Sequence, residues 1–182
     1  APYTEITFDG YTAPSILQIP NAKEVCVEFG SCSKTYNMGG WRLGVVCGNA
    51  QAVQALGTLK SNIDSGHFKP LMDAAALALT TDQSWIVERN EHYRQRRDSV
   101  VQALRDAGMK ADTPAAAIYV WAQLPNGVND VTYAANLLQT VNVSVTPGTV
   151  FGPSGAGYIR ISLGTPTERV REAMERVAGF RG

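Results

Sequence analysis

The sequence predicts an α/β protein in two parts, in which the edge of an α/β sheet is followed by a smaller α+β unit. Two short β-branched runs flank a glycine-rich loop near the start of the chain, and two helical patterns follow them. The second half mixes strand and helix patterns and ends in an amphipathic helix. Two strands followed by two helices do not close a core, so we expect the first part to belong to a larger sheet.

The composition is that of a globular protein. Of the 182 residues, 45% are hydrophobic and 18% are charged, and 16 basic residues balance 16 acidic ones. This balance argues against nucleic acid as a partner. No apolar run reaches the roughly 20 residues that a membrane helix needs, and the first residues lack the basic and apolar parts of a signal peptide. We therefore expect a cytoplasmic protein that does not bind membranes.

The cysteines and histidines do not form a metal-binding pattern. Cys26, Cys32 and Cys47 lie in or beside strand patterns and lack the close pairs that metal sites use, so we expect reduced structural thiols and no metal. His67 and His92 are isolated in the sequence, which favours loop and helix-surface positions over roles as ligands or bases.

The first part of the chain contains two predicted strands and two predicted helices. Residues 25–29 and 41–47 are apolar runs with a β-branched bias, which is typical of strands. The glycines and small polar residues between them predict a loop. Residues 49–59 and 70–79 have apolar positions at helical spacing and predict helices.

The second part begins with a long amphipathic helix and continues with strands and helices. The pattern at residues 84–107 predicts a helix whose charged residues, including Glu88, Arg89, Arg94, Arg96 and Arg105, form a solvated face. Further predicted elements are strands at 115–124, 143–146 and 158–163 and a helix at 130–141 that is capped by Asp130. Thr165, Pro166 and Glu168 predict the capped start of a final helix.

Lys34 lies at the centre of the loop between the first two strands. A lysine among small polar residues is commonly a solvated surface residue. A lysine that attacks a carbonyl group must be neutral, and a desolvated pocket or a nearby positive charge favours that form. Arg42 can supply such a charge and can bind a phosphate, to which the hydroxyls of Ser31 and Ser33 can also donate. Both interpretations of Lys34 remain open from these residues alone.

The segment GSCSKTYNMGGWRLG resembles the cofactor-lysine motif of the fold type I, class I and II aminotransferases, which use pyridoxal 5′-phosphate. The resemblance implies that Lys34 forms a Schiff base with this cofactor. It also implies that Ser31 and Arg42 bind the cofactor phosphate, with Ser33 as a further donor. The segment PYTEITFDGY resembles the region whose tyrosine contacts the cofactor ring oxygen, which implies that role for Tyr3. The alternative for Tyr3 is an aromatic residue packed in the core at a strand end.

The segment VTPGTVFGPSGAGYIRISLG resembles the final strand region of the same family, in which an arginine pairs with the substrate α-carboxylate. The resemblance implies this role for Arg160, and a guanidinium group suits a carboxylate because it donates two parallel hydrogen bonds. The alternating strand pattern alone would favour a surface ion pair. Four glycines predict a mobile loop before this strand: Gly148, Gly152, Gly155 and Gly157.

The resemblance extends over essentially the whole chain but corresponds to the carboxyl-terminal part of such an enzyme. It implies that residues 1–95 are the C-terminal part of the large, cofactor-binding αβα domain and that residues 96–182 are the small α+β domain. Family members also use an aspartate on the pyridine nitrogen and further cofactor-binding residues that precede the position of Ala1. The resemblance therefore implies a fragment that is inactive alone and that belongs to a homodimeric enzyme.

The finer resemblance concerns the substrate. The segments TFDGYTAPSILQIPNAKEV, SKTYNMGGWR and KSNIDSG look most like the LL-diaminopimelate aminotransferases and their relatives that act on alanine, aspartate or methionine. This implies transamination between an amino acid and a 2-oxo acid, in lysine biosynthesis for the first subgroup. Two alternatives remain, a carbon-sulfur lyase on the same scaffold and the ligand-sensing domain of a transcription regulator.

Overall fold

The computed structural model describes residues 1–180, in which strands and helices are mixed along the chain. The helices are α1 (Ala22–Val25), α2 (Cys32–Thr35), α3 (Ala50–Ile63), α4 (Lys69–Thr80), α5 (Trp85–Asp106), α6 (Asp130–Val141) and α7 (Thr167–Gly179). The strands are β1 (Val27–Ser31), β2 (Gly44–Gly48), β3 (Lys110–Ala111), β4 (Tyr119–Gln123), β5 (Thr146–Pro147) and β6 (Tyr158–Ser162). Short 3-10 turns occupy Ile16–Gln18, Gly39–Trp41, Gly148–Phe151 and Pro153–Gly155.

The chain divides into two compact units, Ala1–Val87 and Glu88–Gly182. Each unit combines strands with helices, which confirms the predicted α/β class. The division of the chain into a large and a small domain between residues 95 and 96 stays a prediction. None of the described helices is both long enough and apolar enough to cross a membrane.

The first unit is built on the antiparallel pair of β1 and β2, in which Val27 pairs with Gly48 and Ser31 with Gly44. Its helices cover little of the apolar surface, since α3 contains no buried residue and Ala75 is the buried residue of α4. Large apolar side chains remain exposed in this unit, among them Phe29, Leu59, Ile63, Phe68 and Leu77. Such a surface agrees with the expectation that these elements belong to a larger sheet.

The second unit has an antiparallel sheet with the strand order β3-β4-β6-β5. Val120 and Ala122 of β4 and Ile159 of β6 are almost fully buried in its core. The apolar stripes of three helices are buried as well: Val100, Val101 and Leu104 of α5, Leu137 of α6, and Val170, Met174 and Val177 of α7. The core of this unit therefore consists of the apolar residues that the helical and alternating patterns predict to be buried.

Strand boundaries differ from the predictions where a turn precedes the strand. Val25 ends the helical turn α1, so the strand predicted at residues 25–29 begins instead at Val27. Trp41 ends a 3-10 turn in which its backbone N–H donates to the Met38 carbonyl, and β2 starts only at Gly44. In each case a local backbone hydrogen bond forms a turn within the apolar run, which the residue types alone do not reveal.

Two predicted helix caps are wrong. The side chain that caps α6 belongs to Asn129, whose Oδ1 accepts from the Thr132 N–H at 2.9 Å, and Asp130 is instead the first helical residue. Helix α7 begins at Thr167 after Pro166 without a side-chain cap, so the predicted cap at Thr165 does not form.

The charged face of α5 is only partly solvated, contrary to the prediction. Arg96 donates to the carbonyl of Leu163 and Arg105 to the carbonyl of Ala111. Arg97 is 3% exposed and donates to the carbonyl of Pro114. Backbone carbonyls that the strand ladders leave unbonded need donors, and the long arginine side chains can reach them.

The loop between β5 and β6 crosses itself at two glycines. A Cβ atom at Gly148 would overlap the carbonyl oxygen of Gly155 and would lie 2.9 Å from the carbonyl oxygen of Tyr158. A Cβ atom at Gly155 would overlap the backbone of Gly148 in the same way. The structure therefore gives these two glycines a packing role that the sequence did not predict.

We predict that Gly148→Ala destabilises the full-length protein, because the new methyl group meets backbone atoms that cannot rotate away. The expected cost is at least about 1–3 kcal/mol, seen as a lower thermal unfolding midpoint. Gly57→Ala is the control, since Gly57 lies inside α3 with no described atom within 4 Å of an added Cβ. Equal thermal unfolding midpoints for the Gly148→Ala and Gly57→Ala variants would contradict the close approach of Gly148 and Gly155.

Candidate functional site

Lys34 lies in a single helical turn, α2, that directly follows β1. Ser31 ends β1 and caps this turn, since its Oγ accepts from the Ser33 N–H at 3.1 Å. The backbone N–H of Cys32 donates to the Leu43 carbonyl at 3.2 Å, which continues the β1–β2 ladder into the turn. The loop predicted here is therefore a short helix held at the end of a strand pair.

The inner face of this turn is packed into an apolar cluster. Cys32 and Thr35, three residues apart, are 2% and 4% exposed, whereas Ser33 and Lys34 on the other side are half-buried. Cys32 packs with Leu43 and Ala75, and the cluster is extended by Tyr36 and Met38. Burial raises the pKa of the Cys32 thiol, which favours the unreactive form.

Arg42 is brought to the same end of the strand pair. It follows the 3-10 turn and has a φ of 54°, a left-handed conformation that costs a non-glycine residue about 1–2 kcal/mol. Its Nη1 donates to the Gly39 carbonyl at 3.0 Å. Ser31 is the last residue of β1 and pairs with Gly44, the first residue of β2. Arg42, shortly before β2, and the turn α2, directly after β1, therefore lie at the same end of the strand pair. Strain of this kind persists where the surrounding structure fixes the backbone, as it often does at functional sites.

The turn carries a positive charge that nothing nearby balances. Lys34 and Arg42 are the charged residues between Phe29 and Gly48. Within residues 1–180 neither makes an ion pair, and Nζ of Lys34 makes no hydrogen bond. The Arg42 guanidinium group and two serine hydroxyls are suited to hold a phosphate group on a ring, with the unpaired amine of Lys34 in the same strand-turn-strand unit.

Tyr3 lies in the segment beside β1. It is half-buried in a turn in which its carbonyl accepts from the Ile6 N–H at 2.9 Å. The nitrogen of Ala1 donates to the carbonyl of Phe29 in β1. Tyr3 therefore lies two residues after Ala1, which contacts β1, and β1 leads directly to the turn that carries Lys34.

Arg160 occupies the middle of β6 in the second unit, where it pairs with Trp121 of β4 and Thr146 of β5. Its Cζ lies 4.2 Å from the ring centroid of Tyr119 and 4.4 Å from that of Phe151. It is half-buried and makes no ion pair in the described part of the chain, unlike the surface pair that the strand pattern favours. Cation–π contacts of this kind use no N–H group, so the guanidinium N–H groups of Arg160 remain available for a carboxylate.

Two further aromatic residues complete the surroundings of Arg160. Trp121 stacks on Tyr158 with centroids 5.4 Å apart and meets Phe151 edge-on at 5.7 Å. We call Tyr119, Trp121, Phe151 and Tyr158 the aromatic group. The sequence analysis did not predict this group. Alternate residues of a strand share a face, so the spacing of Tyr119 and Trp121, and of Tyr158 and Arg160, could have indicated it.

The predicted site residues thus form two groups. Ser31, Ser33, Lys34 and Arg42 share one strand-turn-strand unit, with Tyr3 beside its first strand, while Arg160 lies in the second unit. Among residues 1–180, no group of three or more His, Cys, Asp or Glu side chains is placed to hold a metal ion.

Comparison with known proteins identifies close relatives. The family model of aminotransferases of class I and II matches residues 3–177. LL-diaminopimelate aminotransferases from Desulforudis audaxviator and Moorella thermoacetica are 50% and 47% identical over all 182 residues, which cover 46% and 47% of those proteins. The chain therefore spans about half the length of the curated relatives it matches.

Solved structures share the fold at high similarity. A probable N-succinyldiaminopimelate aminotransferase from Thermus thermophilus superposes with a TM-score of 0.91 at 35% identity, over 98% of this chain and 48% of that one. An aromatic aminotransferase from Pyrococcus horikoshii gives 0.92 at 29% identity, over 98% and 48%. These matches confirm the predicted fold type I architecture, and with the family model they show that the chain belongs to the class I and II aminotransferases.

Proposed function

We propose that the full-length protein is a pyridoxal 5′-phosphate-dependent aminotransferase that transfers an amino group between an amino acid and a 2-oxo acid. The observation that carries the proposal is that Lys34 and Arg42, the two charged residues between Phe29 and Gly48, both lack an ion pair among the described residues. Enzymes of this family depend on that cofactor. Because the chain spans about half of its relatives, the activity belongs to the longer protein.

Lys34, Arg42, Ser31, Ser33 and Tyr3 would together hold the cofactor. Nζ of Lys34 would bind the aldehyde carbon, and the guanidinium group of Arg42 would bind the phosphate. The Oγ of Ser31 accepts from the Ser33 N–H, so its own O–H is available to donate to a phosphate oxygen, as is that of Ser33. Tyr3 would direct its hydroxyl to the ring oxygen.

Lys34 would also move the proton in the reaction. When bound, the cofactor withdraws electrons from the α-carbon of the amino acid. The free amine of Lys34 would act as the general base that removes the α-proton of the substrate and holds it at Nζ. The Cys32 and Leu43 packing holds the turn in place, so the amine is presented from a fixed backbone.

The substrate that we propose is LL-diaminopimelate. Relatives with this substrate in their names are 50% and 47% identical to the chain, and a structural neighbour is named for a succinylated form of diaminopimelate. Arg160 would bind the α-carboxylate with the N–H edge that its two flanking rings leave free. The relatives and structures named above are aminotransferases and give no support to a carbon-sulfur lyase or a transcription regulator.

We propose a cytoplasmic homodimer as the working form of the full-length enzyme, with a role in lysine biosynthesis. The exposed apolar side chains of the first unit, such as Phe29 and Phe68, support an extensive covered surface in the complete protein. In the complete protein, the remainder of the large domain and the second subunit would cover that surface.

In the full-length protein, Lys34→Ala is expected to lower kcat by at least about 10²–10⁴-fold, because the general base is lost. The assay follows the amino group from LL-diaminopimelate to 2-oxoglutarate. Lys23→Ala is the matched control, since Lys23 is an exposed lysine of α1 in the same unit, and should retain normal rates. Wild-type turnover by the Lys34 variant would disprove the proposed mechanism.

Arg42→Ala should weaken binding of pyridoxal 5′-phosphate to the full-length apoprotein by about 10–100-fold, the effect of losing a charge-assisted hydrogen bond. Equilibrium dialysis measures the dissociation constant, and pyridoxal without the phosphate is the second ligand. Its affinity should not change, because Arg42 is proposed to contact the phosphate. Arg169→Ala, in which an exposed arginine paired with Glu172 is removed, should bind both ligands normally. Equal losses for both ligands would contradict a phosphate contact.

A further inference from the structure

Asp130 is a buried carboxylate whose partners all lie in one loop. It is the first residue of α6 and is 1% exposed, yet it makes no ion pair within residues 1–180. Its Oδ2 accepts from the Thr149 N–H at 3.0 Å and from the Thr149 hydroxyl at 2.8 Å, and its Oδ1 accepts from the Gly157 N–H at 3.3 Å. The Thr149 N–H holds the pKa of this carboxyl below its usual range. A buried charge is tolerated when hydrogen bonds replace the lost water, and here the loop supplies them.

These bonds fix both ends of the same loop. Thr149 lies near its start and Gly157 at its end, so each carboxylate oxygen of Asp130 holds one end. Between them, the crossing of Gly148 and Gly155 requires the two backbone segments to lie in contact. The path of the chain from residue 148 to β6 is therefore determined by Asp130 and by this crossing.

The loop carries one member of the aromatic group, Phe151, and ends directly before a second, Tyr158, which begins β6. Phe151, two residues after Thr149, has its ring centroid 4.4 Å from Cζ of Arg160, and Tyr158 directly follows Gly157. Tyr158 in turn stacks on Trp121. The Asp130 carboxylate is thus connected to the guanidinium group through its bonds to Thr149, two residues of backbone, and the contact of Phe151 with Arg160.

We propose that Asp130 is a positioning residue for the substrate carboxylate. Through Thr149 and Gly157 it holds the Phe151 ring 4.4 Å from Cζ of Arg160, which limits the directions in which the guanidinium N–H groups can point. The proposal rests on the role of Arg160 in the proposed function. Because the amino acid and the 2-oxo acid both carry this carboxylate, Asp130 lowers KM for both substrates and leaves the proton transfer at Lys34 unchanged.

The test uses the full-length holoenzyme with Asp130→Asn, which replaces one acceptor oxygen by an amide that cannot accept from the loop. We expect KM for LL-diaminopimelate and for 2-oxoglutarate to rise about tenfold and kcat to change by less than about twofold. Calorimetry with pimelate, the dicarboxylate skeleton without amino groups, should show the same loss of affinity without turnover.

Thr149→Val is the second variant, in case Asp130→Asn does not fold. It removes the hydroxyl bond but keeps the side-chain shape and the backbone N–H, so a smaller rise in KM is expected. Thr149→Ser keeps both bonds to Asp130 and should behave as wild type. Variants that lose thermal stability but keep normal KM and pimelate affinity would overturn the proposal, because Asp130 would then only stabilise the fold.

A combination with Arg160→Met separates this inference from the proposed function. If Arg160 binds the carboxylate, Arg160→Met raises KM, and Asp130→Asn adds little in that background. An equal effect of Asp130→Asn with and without Arg160 would overturn the positioning role alone. A normal KM for Arg160→Met would contradict the proposed role of Arg160, and the inference about Asp130 would fall with it.

Discussion

The hydrogen bond from the Cys32 N–H to the Leu43 carbonyl is the contact on which the lysine turn depends. It extends the antiparallel ladder beyond Ser31 and Gly44 and so closes the chain between β1 and β2 into a fixed unit. Cys32 and Leu43 are then buried together, which leaves Lys34 on the opposite side of the turn. The backbone of Lys34 is thereby fixed in position, which the proposed roles of its amine in cofactor binding and proton transfer would require.

The second unit uses a different solution to hold a cation. Arg160 has no carboxylate partner in the described residues and is fixed by the rings of Tyr119 and Phe151, which leave its hydrogen-bonding edge available. The carboxylate that stabilises this region, Asp130, contacts the loop backbone and Thr149 instead of the arginine. The structural negative charge of Asp130 is thus kept apart from the positive charge of Arg160, so an arginine with the role proposed above would not have to exchange a protein partner for a carboxylate ligand.

Much of this arrangement could be predicted from the sequence, and the failures share a physical cause. Apolar spacing identifies the helices and the strands because it reports burial directly. The start of β1 and the cap of α6 depend on which of several possible short-range hydrogen bonds forms, here from the Cys26 N–H to the Ala22 carbonyl and from the Thr132 N–H to Oδ1 of Asn129. The crossing at Gly148 depends on a close approach of two backbone segments, which residue types do not determine. Asp130 is wrongly predicted as a cap because its partners lie 19 and 27 residues further along the chain.

The proposal that Lys34 binds the cofactor covalently is tested most directly by locating that bond. Full-length protein loaded with pyridoxal 5′-phosphate is reduced with borohydride, digested and analysed by mass spectrometry. We expect one reduced cofactor on the peptide that contains Lys34, at the Nζ atom of that residue. A label on any other lysine, or no label on a protein that transaminates, would contradict it.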